Sequence, residues 1–269
     1  INDLQSYPLD KAIAVLSASP YYSKPSQEGL FQHYKALAAA SPKPILLYNV
    51  PGRTGRNLAA STTIRLAHEV PNIAGIKEAT DDMNQCMQIL KDRPEDFLVV
   101  SGDDALILPQ IACGMDGVIS VAANAFPKDF SEMIRLCLAG DFAAARKIHY
   151  KLLEAYDLLF VENNPAGVKG FLYEQGLIEN VLRLPVVPLS PSNHYANYLK
   201  ACMGLEKTRS PFAIAGPLSQ VFTLGVMAQK LNTKLLFDRN TKQITNNKLA
   251  NQLLVGAPPR KGWEQYYKV

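Results

Sequence analysis

Short apolar runs alternate with amphipathic helical patterns through residues 11–190, and this alternation limits the possible folds more than any other feature. The runs begin about 20 to 33 residues apart, and a helical pattern follows each of them. Strands that alternate with helices of this length are joined as βαβ units in a parallel sheet. The sequence therefore predicts an α/β fold with barrel-like spacing. The predicted strands are residues 12–17, 45–50, 73–77, 97–101 and 117–122, and the predicted helices are residues 26–40, 61–69, 84–91, 105–113, 127–139 and 141–160, with one more ending near residue 174.

Lys77 ends the third apolar run, where a charged side chain is unexpected. Buried parallel strands are nearly continuous in apolar residues, and a charged amine among them is costly unless it loses its proton or finds a partner. A neutral lysine amine is a nucleophile that forms Schiff bases with carbonyl compounds. A lysine at a strand end with its amine in solvent is the alternative, and the residues at the neighbouring strand ends favour the nucleophile.

Phenols, a guanidinium and small residues follow the other predicted strands, and in barrels the chemistry gathers at the carboxyl ends of the strands. Tyr48 is a candidate proton shuttle, with a core aromatic as the alternative. Arg53 lies in a Pro/Gly-rich loop and suits a carboxylate, although a solvated loop arginine is equally compatible. Asp103 and Asp104 could be paired acids, but a helix N-cap explains them better.

Composition excludes several other classes. Hydrophobic residues make up 48% of the chain and charged residues 19%, which is typical of a globular protein. No apolar run reaches membrane-spanning length and no secretory leader is evident, so we expect a cytoplasmic protein. The four cysteines and four histidines show no metal-ligand spacing, so the thiols are expected to be reduced and no metal or cofactor is predicted.

The charge distribution predicts a boundary between residues 1–190 and 191–269. Residues 192–269 carry 11 Lys and Arg against 3 Asp and Glu, whereas the rest of the chain is net acidic. Such asymmetry marks segment boundaries, and a proline-containing stretch, residues 182–192, precedes the change. The basic side chains are dispersed, so nucleic-acid binding is not predicted. The tail is expected to form helices at 193–203 and 213–231 and a short strand at 235–238.

Six ordered blocks make residues 1–190 resemble the dihydrodipicolinate synthase family, within the N-acetylneuraminate lyase superfamily. The blocks are SPYYSKPSQEGLFQHYKA from Ser19, ILLYNVPGRTG from Ile45, IAGIKEAT from Ile73, LVVSGDDA from Leu98, GVISVAAN from Gly117 and FVENNPAGVK from Phe160. The resemblance implies a (β/α)8 TIM barrel and a cofactor-independent lyase. It would condense pyruvate with aspartate semialdehyde in lysine and diaminopimelate biosynthesis.

The resemblance also implies roles for individual residues. Lys77 would form the Schiff base with pyruvate, and Tyr48 would relay protons at the imine. Tyr22 would reach into the active site of a neighbouring subunit of a homotetramer. Arg53 would guide the carboxylate of the aldehyde. The implied pyruvate-pocket residues are Gly102 and Ile119.

By this resemblance the chain holds about five of the eight βα units and lacks the family's N-terminal third. The threonine-containing motif of the second family strand has no match here. The tail blocks SPFAIAGPLSQ, LNTKLLFD, ITNNKLANQLL and PPRKGWE resemble the C-terminal end of Gfo/Idh/MocA oxidoreductases. The expectation is a composite of a partial barrel and an oxidoreductase-like tail.

Several functional hypotheses follow from these likenesses. The leading one is the synthase activity, and the alternative within its class is another pyruvate-dependent aldolase, such as an N-acetylneuraminate lyase. A second hypothesis is a non-catalytic fragment that needs a partner to supply the missing strands. A third, an NAD-dependent oxidoreductase, rests on the tail alone.

Overall fold

The computed structural model describes residues 2–190, 203, 224–238 and 240–254. The chain divides into two compact units, Ile1–Leu205 and Glu206–Val269. The predicted boundary at 190–191 is followed by residues that are not described, and it stays a prediction. In the described part of the chain, no helix is both long and apolar enough to cross a membrane.

The first unit contains a five-stranded parallel sheet in the order in which the strands occur along the chain. Sequential order and parallel pairing mean that every strand ends at the same edge of the sheet. The fold class predicted from the alternating pattern is therefore present. The strands are β1 (Val15–Ala18), β2 (Ile45–Asn49), β3 (Ile73–Glu78), β4 (Leu98–Ser101) and β5 (Gly117–Val118).

Ten helices are described in this unit, and three of them begin with a side-chain cap. Ser26, Asp82 and Asp141 accept backbone N–H bonds at the starts of α2, α5 and α9, which satisfies donors that a helix start leaves free. The helices are α1 (Asn2–Ser6), α2 (Gln27–Ala40), α3 (Pro51–Thr54), α4 (Ala60–Glu69), α5 (Met83–Asp92), α6 (Ile107–Ala112), α7 (Ala122–Ala125), α8 (Pro127–Leu138), α9 (Phe142–Phe160) and α10 (Ala166–Glu174).

Alternation along β2 decides which side chains pack outward and which face the site. Ile45, Leu47 and Asn49 are fully buried, whereas Leu46 and Tyr48 between them are only half-buried. Successive strand side chains point to opposite faces, so the first three pack under the helices. Ile45 and Leu47 belong to a core with side chains of α2, α4 and α5. A second core lies among the later helices, α6 to α10.

The last predicted strand, residues 117–122, is wrong beyond Val118. Only Gly117–Val118 pairs with β4, and α7 begins at Ala122. An oxygen of Asp104 accepts the Ala122 N–H at 2.8 Å, and the Ser120 hydroxyl accepts the Ala123 N–H at 2.9 Å. Side-chain acceptors of this kind start a helix, and the alanines that follow are strong helix formers.

Smaller differences concern element ends. β1 begins at Val15 rather than at residue 12, and α6 spans Ile107–Ala112 rather than 105–113. The loop predicted around Arg53 contains the one-turn helix α3, which starts at Pro51 and is followed by Gly55 with a left-handed backbone, φ 71°. Proline at a helix start and glycine after its end are the expected end residues. Cys86 and Cys137 are buried free thiols, Cys113 is exposed, and Cys202 lies outside the described residues.

The second unit is described only in part. Residues 224–230 are helical, Phe237–Asp238 and Gln243–Ile244 form an antiparallel pair, and a helix spans Lys248–Leu254. The short strand predicted at 235–238 is thus present at its last two residues. The predicted helix at 193–203 and the first part of the one at 213–231 lie outside the described residues.

Candidate active site

A cavity of about 400 Å³ opens at the carboxyl ends of β2, β3 and β4. It collects side chains from separate loops because parallel strands bring their ends to one edge. Its polar lining includes the amine of a lysine, the guanidinium of an arginine and the carboxylates of three aspartates. The lining residues are Tyr48, Val50, Arg53, Lys77, Ala79, Gly102, Asp103, Asp104, Ala105, Val121, Tyr156, Asp157, Phe160 and Asn164.

Lys77 lies at the centre of this arrangement and is 9% exposed. It pairs in register with Tyr48 on β2, so both side chains project from the same face of the sheet. The Lys77 Nζ lies 4.3 Å from the centroid of the Tyr48 ring. Burial lowers the pKa of Lys77, and the charge of Asp104 partly opposes this. A lowered pKa raises the fraction of neutral, nucleophilic amine.

Tyr48 and Arg53 provide a hydroxyl and a guanidinium on the β2 side of the cavity. Burial raises the pKa of Tyr48 and keeps the phenol protonated, while the nearby charge of Arg53 acts in the opposite direction. Arg53 Nη2 donates to Asn163 Oδ1 at 3.0 Å, which links α3 to the loop after α9. A guanidinium has further donors for a carboxylate.

Gly102 leaves room for the lysine side chain. A Cβ at this position would lie 2.9 Å from Lys77 Cε and 2.7 Å from Ala79 Cβ. The backbone N–H of Gly102 donates to the carbonyl of Glu78 at 2.7 Å, so the main chain cannot easily move away. The residue at position 102 therefore controls where Lys77 can lie.

Replacing Gly102 with alanine is expected to slow covalent trapping of pyruvate on Lys77 by about 10- to 100-fold, because small displacements of a reacting group cost this much. Intact-mass analysis at timed intervals after addition of pyruvate and borohydride measures the rate. Gly117→Ala is the matched control, since an added Cβ there meets nothing within 4 Å. Equal trapping rates in both variants and the wild-type chain would contradict the steric role.

The two aspartates after β4 have different roles. Asp103 Oδ1 accepts the N–H groups of Ala105 and Leu106 just before α6, which agrees with the predicted capping role. Asp104 is only 4% exposed, and the capping prediction is wrong for it. Its Oδ2 accepts the N–H of Ala122, 18 residues further along the chain.

Four of the six predicted site residues line the cavity, and two do not. Lys77, Tyr48, Arg53 and Gly102 lie together there. Tyr22 is 92% exposed and Ile119 is 40% exposed, and neither lines it. A side chain that acts in a neighbouring subunit has to be exposed, so the assignment of Tyr22 stays a prediction, as does that of Ile119.

Sequence reasoning missed Tyr156 and Asn164 as lining residues, and it preferred a capping role for Asp103 and Asp104, which both line the cavity. Tyr156 comes from the middle of α9, is 3% exposed and directs its hydroxyl towards Met133 Sδ at 3.9 Å. In the sequence it is one of many apolar positions at helical spacing. Asn164 carries a buried Oδ1 without a partner. Within the described residues, no group of His, Cys, Asp or Glu side chains could hold a metal ion.

Glu78 follows Lys77 but belongs to a buried polar network on the opposite face of β3. It is fully buried and accepts hydrogen bonds from Asn49 Nδ2 at 2.9 Å, Gln85 Nε2 at 3.0 Å and the Thr80 N–H at 3.1 Å. Burial raises the pKa of Glu78 to about 7, against the effect of these donors. The network ties the end of β2 to the end of β3 and so fixes the strand ends that carry Tyr48 and Lys77.

The parallel sheet and the cavity at its strand ends place the chain among α/β-barrel proteins with their site at the carboxyl ends of the strands. The family comparison is more specific. Residues 10–202 match the Dihydrodipicolinate synthetase family, and the chain belongs to this family.

Curated relatives agree with the family match. The chain is 58% identical over 175 residues to 4-hydroxy-tetrahydrodipicolinate synthase of Phocaeicola vulgatus, with 65% of this chain and 59% of the relative covered. It is 55% identical over 175 residues to the protein of the same name from Parabacteroides distasonis, with the same coverage. The chain thus spans about three-fifths of the length of these curated relatives.

Solved structures show the same fold. Dihydrodipicolinate synthase from Thermotoga maritima is 40% identical with a TM-score of 0.70, over 74% of this chain and 69% of that one. The chloride-inhibited enzyme from Acinetobacter baumannii, complexed with pyruvate, is 44% identical with a TM-score of 0.68, over 72% and 65%. A monomeric dihydrodipicolinate synthase variant is 40% identical with a TM-score of 0.69, over 72% and 66%. With the five-stranded sheet, these likenesses confirm the predicted incomplete TIM barrel.

Proposed function

We propose that this chain carries the Schiff-base site of a 4-hydroxy-tetrahydrodipicolinate synthase and condenses pyruvate with aspartate semialdehyde through Lys77. The observation that carries the proposal is the largely buried Lys77 amine. It lies 4.3 Å from the Tyr48 ring in a cavity of about 400 Å³. Family membership supports the substrates, and the pyruvate complex of the Acinetobacter baumannii relative supports the first of them.

The chemistry uses a small number of groups. The neutral Lys77 amine adds to the keto carbon of pyruvate, and loss of water gives an iminium ion. Loss of a proton from the adjacent methyl carbon produces an enamine, whose carbon attacks the aldehyde. The Tyr48 ring lies beside the amine, and its hydroxyl is the group that would donate and recover the protons of these steps. Arg53 at the cavity wall offers its guanidinium to the carboxylate of the aldehyde substrate.

A coupled assay with two aldehydes tests the substrate. We expect turnover of pyruvate with aspartate semialdehyde and none with N-acetylmannosamine. The reverse preference would replace the synthase with a sialic-acid lyase, while leaving the lysine chemistry in place. No turnover with either aldehyde, together with a normal pyruvate adduct on Lys77, would limit the chain to the first half of the reaction.

A homo-oligomer is proposed as the working state. Tyr22 is 92% exposed and has a left-handed backbone, φ 65°, which suits a side chain that projects from its own subunit. A tetramer is the proposed assembly, although one of the similar structures is a monomeric variant. Sedimentation of the purified chain measures the assembly directly.

A partner-dependent, non-catalytic chain is the second candidate, and it rests on the sheet edges. Among the described residues, β1 and β5 each pair with one strand only. Leu16 on β1 and Leu98 on β4 are more than 40% exposed. Open edges and exposed apolar side chains are the features that a partner strand covers. A folded chain that forms no pyruvate adduct alone would favour this candidate.

The origin of the tail is a separate proposal. We infer that residues 192–269 come from a Gfo/Idh/MocA-type oxidoreductase, supported by their basic charge and by the separate compact unit Glu206–Val269. The match to the Dihydrodipicolinate synthetase family extends to residue 202 and so includes the first residues of this segment. A fluorescence titration with NAD(H) tests whether any dinucleotide binding accompanies this origin, and we expect none.

A further inference from the structure

The carboxylate of Asp104 has no role in the chemistry described above, yet it is built into the same cavity as Lys77. It is 4% exposed. One oxygen, Oδ2, accepts the Ala122 N–H at 2.8 Å. A carboxylate that is this deeply buried is costly, so its place in the cavity beside Lys77 calls for an explanation.

The backbone around Asp104 holds it in place. The Ala122 N–H opens α7, and the Ser120 side chain and the Val121 backbone also interact with this carboxyl group. The carboxylate therefore cannot turn away to solvent without unmaking the start of α7. The carboxylate is therefore held in one place, with little of it exposed to solvent.

Lys77 is the cationic group on which Asp104 acts. The charge of Asp104 raises the pKa of Lys77, while burial lowers it. Burial also raises the pKa of Asp104 itself, and its charge raises that of Tyr156. The other titratable or charged groups lining the cavity are Tyr48, Arg53, Asp103 and Asp157.

We propose that Asp104 is a positioning residue that supplies the counter-charge for the cationic nitrogen on Lys77, first as the ammonium ion and then as the iminium ion. The inference rests on the proposed function for the second of these states. In that step the amine and the keto acid take up one proton and release one water, and the new carbon–nitrogen double bond carries the positive charge. A fixed carboxylate in a low-dielectric cavity stabilises that charge more than water would.

The sign of the effect follows from the charges. An opposite charge nearby favours the protonated lysine, so removing it lowers the pKa of Lys77 further. Asp104→Asn is expected to move the pH at which Lys77 becomes neutral downwards. The same variant is expected to weaken the equilibrium yield of the pyruvate iminium ion, because the cation loses its counter-charge.

Competitive labelling with acetic anhydride measures the first effect without pyruvate. The full chain is labelled across a pH series, and the Lys77 peptide is quantified by mass spectrometry. We expect a lower midpoint in Asp104→Asn and in Asp104→Ser, a second neutral replacement, and a midpoint close to the wild-type value in Asp104→Glu. Asp81→Asn is the matched control, because Asp81 is an exposed carboxylate beyond the same strand end and does not line the cavity.

The outcomes separate this inference from the proposed function. A downward shift in the neutral variants but not in Asp81→Asn supports the counter-charge role, even if pyruvate forms no adduct. An unchanged Lys77 midpoint in the variants that keep the wild-type circular dichroism spectrum overturns it, even if the wild-type chain condenses pyruvate. A shift of equal size in Asp81→Asn also overturns it, since any surface charge would then serve.

Discussion

Replacing Lys77 with methionine is expected to lower the rate of pyruvate condensation on the order of 10³-fold or more, because the covalent route disappears with the amine. Methionine has a similar length and is apolar, so it fills the space beside the Tyr48 ring without leaving a cavity. Loss of activity in this variant would therefore reflect chemistry and not unfolding. The coupled condensation assay gives the rate, and a thermal melt of the same preparation reports the fold.

Lys91→Met is the matched control for this prediction. Lys91 has a side chain that is 79% exposed and pairs with the neighbouring Asp92. We expect its rate to equal that of the wild-type chain. Residual condensation in Lys77→Met within tenfold of the wild-type rate would show that another group carries the reaction.

The second large effect is a pH-dependent stability that depends on Glu78. Its pKa is raised from 4.5 to about 7 by burial in the folded chain. A raised carboxyl pKa means that the folded state holds the proton more tightly than the unfolded state. The contribution of Glu78 to the free energy of unfolding is therefore complete below about pH 4.5 and is lost as the pH rises through about 7. Glu78 alone accounts for a fall of roughly 3 kcal/mol in the free energy of unfolding across this window.

Glu78→Gln is expected to remove this dependence of the free energy of unfolding on pH. Glutamine cannot ionise, so its contribution is the same at pH 5 and pH 8. It also presents an amide donor to the donors of Asn49 and Gln85, which lowers the stability at every pH by about 1–3 kcal/mol. The loss of slope, and not the constant offset, is the informative quantity.

Urea unfolding between pH 5 and pH 8 measures both the change of stability with pH and the constant loss of stability. Glu95→Gln serves as the control, because Glu95 is exposed and lies on the turn between α5 and β4. The wild-type chain and Glu95→Gln should lose stability in parallel as the pH rises, and Glu78→Gln should lose about 3 kcal/mol less. Parallel curves for all three would mean that Glu78 ionises normally within the fold.

The sequence predicted the fold well where a local pattern carries the information. The central strands were placed almost to the residue, because buried parallel strands leave continuous apolar runs. The same pattern made Lys77 conspicuous. Convergence of parallel strand ends then predicted that Tyr48 and Lys77 would meet, and their in-register pairing shows how they do.

The remaining features depend on contacts between distant parts of the chain. Asp103 and Asp104 are adjacent and chemically identical, and only the turn geometry leaves one half-buried and the other fully buried. The contact of Asp104 with Ala122 also determines that β5 ends early and α7 begins. Arg53 meets Asn163 across 110 residues. No local period or motif records such contacts, so sequence reasoning could not supply them.

Trapping of pyruvate with borohydride on the wild-type chain, followed by intact-mass and peptide analysis, tests the central claim most directly. We expect one reduced adduct per chain, located on the peptide that contains Lys77. That result would show that the cavity at the strand ends works as a Schiff-base site in this chain. A folded chain with no adduct, or with adducts spread over surface lysines, would contradict the assignment of Lys77 as the nucleophile.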